Sequence, residues 1–248
     1  MSTRSSPQPF KMERVPTSTD AGGQPAQLAG CMIALGSGAH AYFSARADGD
    51  LRRTGAALAA TLGLRELHTL RQVHAAEVRV VAGALRVPAG GRSRAAPRQA
   101  EAGDALLCAE ALCGVAVFAA DCLPIALSGR RIVGAIHAGW RGLAAGVIEA
   151  AVARLRALGE RGALRAVIGP GAGPCCYEVG AEVGRALGLD GAGRLDLAAI
   201  ARRRALEAGV AHVRALERCT ICDRSFFSHR REGGKAARQG VIVWREQS

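Results

Sequence analysis

The spacing of apolar and polar positions changes repeatedly along the 248 residues, as it does in a chain that mixes strands and helices. Residues 51–63 (LRRTGAALAATLG) read as a short helix, and Glu77 to Val81 as a strand. Residues 114–120 (GVAVFAA) form an apolar run of strand length. Asp121-Cys122-Leu123-Pro124-Ile125-Ala126-Leu127 follows, then a turn at Ser128-Gly129-Arg130-Arg131 and the β-rich segment Ile132 to His137. That order predicts a hairpin, with Gly129-Arg130 as a two-residue type II′ loop. In that register Ser128 faces Arg131, Leu127 faces Ile132, and Cys122 faces His137. Directly opposed residues share a face, with Cβ atoms roughly 5 Å apart. A one-residue slip separates them, and Pro124 invites a bulge.

A helix is expected over 143–158, its apolar stripe running through Leu143, Val147, Ile148, Ala151, Leu155 and Leu158. Its N-terminus follows His137-Ala138-Gly139-Trp140-Arg141-Gly142, so free N–H groups beside Arg141 form a seat for an anion. Arg165 to Ile168 predicts a strand, residues 169–177 a Gly/Pro loop, 179–188 and 197–208 helices, and 241–244 a closing strand. Residues 1–28, rich in Ser, Thr, Pro, Gln and Gly, read as a disordered tail. Residues 29–248 then form one catalytic domain, interrupted by a Gly, Pro and Arg loop at about 83–101.

Composition narrows the function classes. The formal net charge is +12, yet Lys occurs only at positions 11 and 235 and aromatic residues are 4% of the chain. Few stacking platforms exist for bases, so a small anionic substrate explains the charge better than nucleic acid. No run of about 18 apolar residues predicts a membrane span, and the first residues lack the apolar stretch of a secretory signal. A cytoplasmic protein with no membrane partner is expected. Eight cysteines in such a chain point to thiols or metal rather than disulfides. Cys219-Thr-Ile-Cys222 is the single CxxC, without a second copy to complete a zinc ribbon. Cys175 and Cys176, in a Gly/Pro loop, read as packing residues.

Three residues carry candidate chemistry: His74, Cys122 and His137. Two imidazoles and one thiolate suit Zn²⁺, and three protein ligands leave a fourth position open, as catalytic sites do. The same Cys122–His137 pair would equally make an activated thiol nucleophile, and the residues alone leave both readings open. Asp121, adjacent to Cys122, is placed to orient a histidine; Asp104 reads as a turn or supporting group.

Five motifs in order resemble the laccase-domain family, long labelled multicopper polyphenol oxidoreductases and now assigned as purine nucleoside phosphorylases. They are Arg71-Gln72-Val73-His74, Ala120-Asp121-Cys122-Leu123-Pro124, His137-Ala138-Gly139-Trp140-Arg141-Gly142, Ile168-Gly169-Pro170 through Cys175-Cys176-Tyr177-Glu178-Val179, and Phe227-Ser228-His229-Arg230-Arg231. The resemblance runs from about Leu70 to Trp244. It implies an α+β fold: one domain whose mixed β-sheets form a sandwich-like core flanked by helices. It also places the family's zinc ligands on His74, Cys122 and His137. The sequence departs from the family pattern after Phe43-Ser44-Ala45-Arg46, where a substrate-side segment is missing. It departs again at Thr54-Gly55, at His229 in place of Tyr, and at Ala237 in place of Gly.

The activity the resemblance implies is zinc-dependent phosphorolysis of purine nucleosides (adenosine, inosine, methylthioadenosine), with adenosine deamination as a related reaction. Its partners are a small nucleoside and phosphate. The catalytic residues are then Cys122, His137 and Asp121, and the candidates for holding substrate or phosphate are Arg46, Gln72, Arg141, Tyr177, Arg230 and Arg238. Two alternatives remain: a Cys–His hydrolase or amidase acting on cell-wall precursor peptides, and the older polyphenol oxidase label. Six histidines without a His-x-His pair argue against the oxidase and make copper a poorer fit than zinc.

Overall fold

Alternation along the central strands sends side chains to two faces, and both faces are covered. The computed structural model describes residues 12–13, 28–81 and 101–247. The chain opens with β1 (Met12–Glu13), β2 (Cys31–Gly36), β3 (Ala39–Phe43), helix α1 (Leu51–Thr61), β4 (Glu66–Thr69) and β5 (Val78–Val80). Its middle holds β6 (Ala105–Cys108), β7 (Cys113–Ala119), β8 (Leu123–Ser128), β9 (Val133–Ala138), α2 (Trp140–Ala145), α3 (Val147–Ala157) and β10 (Leu164–Ile168). The rest is β11 (Glu178–Val179), α4 (Ala181–Ala186), β12 (Gly193–Arg194), α5 (Leu197–Glu207), β13 (Val210–Ala215), α6 (His229–Glu232) and β14 (Gln239–Arg245).

Two six-stranded mixed sheets result, in the orders β1-β2-β3-β14-β7-β4 and β13-β10-β8-β9-β6-β5. Their inner faces meet through Ile33, Leu35, Phe43, Val115, Val117, Val241 and Val243 on one side and Leu106, Ala126, Val133, Ala135 and Val167 on the other. The intervening residues turn outward. Met32, Tyr42, Ala116 and Ile242 pack under Leu51 and Leu58 of α1. On the second sheet, Leu107, Ile125, Leu127, Ile136 and Leu164 pack under Val147, Ala151 and Leu155 of α3 and Leu197 and Ile200 of α5. This is the expected α+β architecture, a β-sandwich between helices. Among the described residues no helix is long and apolar enough to cross a membrane.

Residues 83–100 of that loop and most of the 1–28 tail lie outside the described residues. Within that predicted tail, Met12–Glu13 pairs antiparallel with Met32 and Ile33, adding an edge strand. The helix expected over 143–158 is instead two: α2 starts at Trp140, and Gly146 at φ 84° breaks the chain before α3. Such a left-handed residue cannot continue an α-helix, and glycine adopts it without steric cost.

The hairpin register also differs. Ser128 pairs with Val133, Leu127 with Gly134, and Pro124 with His137, so the loop holds four residues rather than two. Glu160 explains the wider turn: its carboxylate accepts the N–H groups of Arg131 at 2.7 Å and Ile132 at 3.3 Å. A Cβ at Gly129 would fall 2.4 Å from the same side chain. Relative to the predicted pairing the slip is two residues. An even slip keeps each side chain on its face, so Cys122 and His137 remain on one side as diagonal rather than direct neighbours.

Candidate metal centre

His74, Cys122 and His137 converge, with one ligand atom of each lying within 4.8 Å of the others. His137 sits near the end of β9 and is almost fully buried. Cys122 occupies the residue before β8, and extending the β8–β9 ladder by one step sets it against Gly139. That glycine is required by space, since a Cβ there would lie 2.7 Å from Cys122 Sγ and 3.5 Å from the His74 ring. The rings of His74 and His137 meet edge to face, with centroids 4.8 Å apart.

Asp104 holds this arrangement from beneath. Fully buried, it accepts His137 Nδ1 at 2.8 Å and the backbone N–H groups of Val73, His74 and Ala75 at 3.1, 3.0 and 2.8 Å. One carboxylate thus fixes the His137 ring and shapes the turn on which His74 takes a φ of 59°. A non-glycine residue in that region is strained and persists where its surroundings dictate it. Burial would raise the Asp104 pKa, but the imidazole and the N–H donors hold it below the usual carboxylate value.

The sequence assigned the orienting role to Asp121; the structure gives it to Asp104. Asp121 instead accepts Thr220 Oγ1 at 2.7 Å and Arg230 N–H at 2.6 Å, so each of its oxygens has a partner other than His137. It also turns the chain, with φ 87° and its carbonyl accepting Ala172 N–H at 2.8 Å. Asp121 is therefore a brace between β7, the loop after β13 and α6 rather than a group facing the reacting atoms.

Charges in the cluster are arranged as a pair. Burial opposes ionisation of Cys122, yet hydrogen bonds from His137 and His74 lower its thiol to about 6. Burial likewise opposes protonation of His137, while Asp104 and Cys122 raise it to about 9. Both shifts favour the thiolate–imidazolium form of this pair over its neutral form. A cation placed there would replace that proton, which is the chemistry a metal site requires of its ligands. The donors fit zinc: two imidazoles, one thiolate and a carboxylate backing one histidine.

A cavity of about 590 Å³ opens over the cluster, lined by His74, Cys122 and His137 together with Gln72, Arg238, Arg52, Arg71 and His229. Gln72 is spoken for at both ends of its amide, donating to Phe118 O and accepting Phe118 N–H, each at 2.8 Å. Arg238 is held by the carbonyls of Ala236 and Ala237, and burial and then the nearby Arg52 charge lower its pKa. Arg52 is paired with Asp50 at 2.6 Å, so Arg238 and Arg71 are the guanidinium groups of this lining that invite an anion. Arg52, Arg71 and His229 were not among the site residues chosen from sequence. The position of Arg52 in the first turn of α1, beside the cap Asp50, was the available signal.

The remaining candidates lie elsewhere. Tyr177 is buried, and burial followed by the Cys122 charge raises its pKa; Arg230 stacks on its ring at 5.1 Å. Arg141 is exposed and stacks on Trp140 at 4.2 Å. Arg46 is committed to the carbonyls of Arg224 and Phe226, at 3.0 and 2.9 Å, and to Glu232. None of these four lines the cavity, and Arg46 binds the chain to itself.

Comparison with known proteins places the chain among relatives of one family. Residues 42–246 match the family described as multi-copper polyphenol oxidoreductase laccase. A purine nucleoside phosphorylase of Xylella fastidiosa is 37% identical over 213 residues, 78% of each chain. One from Corynebacterium glutamicum is 32% identical, covering 71% of this chain and 72% of its own. Among solved structures, YlmD of Geobacillus stearothermophilus superposes with a TM-score of 0.74 at 28% identity, covering 94% of this chain and 100% of its own. The hypothetical protein YfiH of Bacillus licheniformis gives 0.76 at 26%, covering 89% and 97%. A family match spanning most of the chain, with relatives above 30% identity over more than two thirds of their length, places the protein in the multi-copper polyphenol oxidoreductase laccase family.

Proposed function

We propose that this protein is a zinc-dependent purine nucleoside phosphorylase. The observation that carries the reading is the convergence of His74, Cys122 and His137 on the floor of a cavity whose wall bears Arg52, Arg71 and Arg238. The relatives named purine nucleoside phosphorylase supply the substrate class. Phosphorolysis breaks the bond between the sugar C1′ and the purine nitrogen and forms one from a phosphate oxygen to C1′. It needs an anion seat, a shielded pocket and charge stabilisation for the departing base. Arg238 and Arg71 seat the phosphate, with Arg52, paired to Asp50, beside them. Zinc bound to the three ligands would supply Lewis-acid polarisation of substrate. Asp104 keeps His137 in one orientation and tautomer, presenting Nε2 toward the site. Adenosine deamination belongs to the same proposal as a secondary activity of this cavity.

A second reading has its own support. A thiolate–imidazolium pair backed by a carboxylate (Cys122, His137 and Asp104) is also the arrangement of a thiol hydrolase acting on amide bonds. An oxidase reading fits less well, since two imidazoles fall short of the nitrogen-rich ligation copper(II) favours. One experiment separates them. Purified protein is incubated with adenosine, with and without phosphate, and products are resolved by chromatography. Adenine appearing only with phosphate is expected. Inosine regardless of phosphate would reveal deamination alone, and cleavage of a muropeptide with no nucleoside product would establish the thiol reading.

A further inference from the structure

Two cysteine motifs that are far apart in sequence meet in space. Strands β10 and β13 are parallel neighbours, so the loops that follow them leave the same edge of the sheet. Cys175 and Cys176 lie in the first loop, Cys219 and Cys222 in the second. Backbone bonds join the loops: Gly171 N–H to Arg218 O at 3.1 Å and Thr220 N–H to Gly171 O at 2.9 Å. All four sulfurs lie within 4.8 Å of one another.

The spacing suits a metal rather than a disulfide. Cys175 Sγ and Cys222 Sγ are 3.8 Å apart, whereas a bonded pair needs about 2.05 Å. Four sulfurs placed about 2.3 Å from a central zinc in a tetrahedron are roughly 3.8 Å apart. The backbone is shaped for thiolates as well. Gly173 N–H donates to Cys219 Sγ at 3.3 Å, and the backbone groups of Cys222 and Ile221 also hydrogen-bond that sulfur. At Gly173 a side chain would crowd the group, its Cβ lying 3.0 Å from Cys219 Cβ and 3.6 Å from Cys175 Sγ.

We propose that Cys175, Cys176, Cys219 and Cys222 form a second metal site, a closed tetrathiolate that binds one zinc ion and clamps the two loops together. Four protein ligands leave no open position, so this zinc is structural. The clamp reaches the first cluster through short links. Tyr177 follows Cys176 directly, and Thr220, between the two cysteines of the CxxC, donates to Asp121 beside Cys122. Arg231 donates to the carbonyls of Thr220 and Ile221 at 2.7 and 2.6 Å, fixing the same loop to α6.

The test uses the full chain, purified with reductant and zinc and then dialysed. Cys122→Ser removes the only thiolate of the other cluster, so the result is independent of whether that cluster holds metal. This variant is expected to keep one zinc per chain that survives dialysis. Exchanged for Co²⁺, that site should show tetrahedral d–d bands and the charge-transfer intensity of four thiolates. Introducing Cys219→Ser and Cys222→Ser into the same background should remove the ion. Should that form fail to fold, the Cys122→Ser chain alone still decides: stripping its metal under reducing conditions must expose four additional reactive thiols. A Cys122→Ser protein without tightly bound metal overturns the proposal. So does an intact mass showing these cysteines joined as disulfides, or metal release that exposes fewer than four thiols.

Discussion

The two cysteine-containing clusters differ in donors, surroundings and reach. The His74–Cys122–His137 cluster mixes imidazole with thiolate, rests on a fully buried carboxylate and opens into an arginine-walled cavity. The Cys175–Cys176–Cys219–Cys222 cluster offers sulfur alone, on two loops, with Cys175 and Cys222 exposed. Donor count separates their roles. Three ligands leave a position for substrate, whereas four close the ion off and hold the chain in place. A cluster that does chemistry needs a supporting residue to aim each ligand; a clamp needs only loops that can approach one another.

The largest effect should follow from removing a mixed-donor ligand. Cys122→Ser or His137→Ala should lower phosphorolysis by about 10³-fold or more, since each removes metal ligation and a charge partner together. For Cys122→Ser, which leaves the Asp104–His137 pair intact, the thermal midpoint should change far less than the activity, whereas His137→Ala also strands buried Asp104 and should lower both. Cys219→Ser should reverse that ratio, with a large loss of thermal stability preceding any loss of turnover per folded molecule. Equal effects of the two variants on activity and melting would erase the distinction between the clusters.

Asp104→Asn comes next. The variant loses the charge that faces His137 Nδ1 and three backbone N–H groups. Breaking a buried charged pair costs about 3–5 kcal/mol, and losing the group behind a metal-bound histidine weakens metal binding by about 10–100-fold. Urea unfolding and a competitive chelator titration measure the two. An Asp104→Asn protein of wild-type metal affinity would show that His137 needs no such partner.

Gly139→Ala should cost about 1–3 kcal/mol, because the added methyl must displace Cys122 Sγ or His74 from a packed site. The tetrathiolate metal should be untouched, and metal counts per chain read the difference. This glycine also shows how much of the site was legible in the sequence. The contexts of His74, Cys122 and His137 singled out residues that the fold brings together, and the even register slip kept Cys122 and His137 on one face. The cause of that slip, Glu160 under the turn, was not legible because 28 residues separate it from Ile132. Adjacency to Cys122 points to Asp121 rather than Asp104, because nothing in the sequence shows that Thr220 and the Arg230 N–H occupy the Asp121 carboxylate. That the four thiols meet was not legible for a related reason: only the parallel pairing of β10 with β13 brings their loops together.

A milder perturbation is pH, applied to chelator-stripped protein. Cys122 has a folded pKa of about 6, below its unfolded value, so its contribution to stability is present at high pH and is lost as pH falls through about 6. His137 runs the other way. With a folded pKa of about 9, above its unfolded value, its contribution is complete at low pH and lost as pH rises through about 9. Stability should therefore form a plateau between these limits. Iodoacetamide labelling of Cys122 should rise near pH 6, while thiols lacking such a partner, with ordinary values of about 8.5, respond later. Labelling that first rises near pH 8.5 would mean the thiolate–imidazolium pair does not form.

The smallest effect belongs to a third pair of cysteines, which serves as a control. Cys108 and Cys113 are buried in the core between the sheets, with their sulfurs 3.1 Å apart. Glu66 and His68 stand near Cys113, but they pair with each other at 3.0 Å on the exposed side of β4. Cys108 meets the Cys113 thiol and the backbone N–H and carbonyl of Glu110, and no imidazole or carboxylate hydrogen-bonds it as Asp104 does His137. Cys108→Ala should therefore cost on the order of 1 kcal/mol, the burial of one small apolar group, and leave both metal content and phosphorolysis unchanged. Elemental analysis of the purified variant checks this. A missing ion would mean that proximity of thiols, without loops or partners shaped for ligation, is enough to hold metal in this fold. The contrast between an aimed cluster and a clamped one would then lose its physical basis.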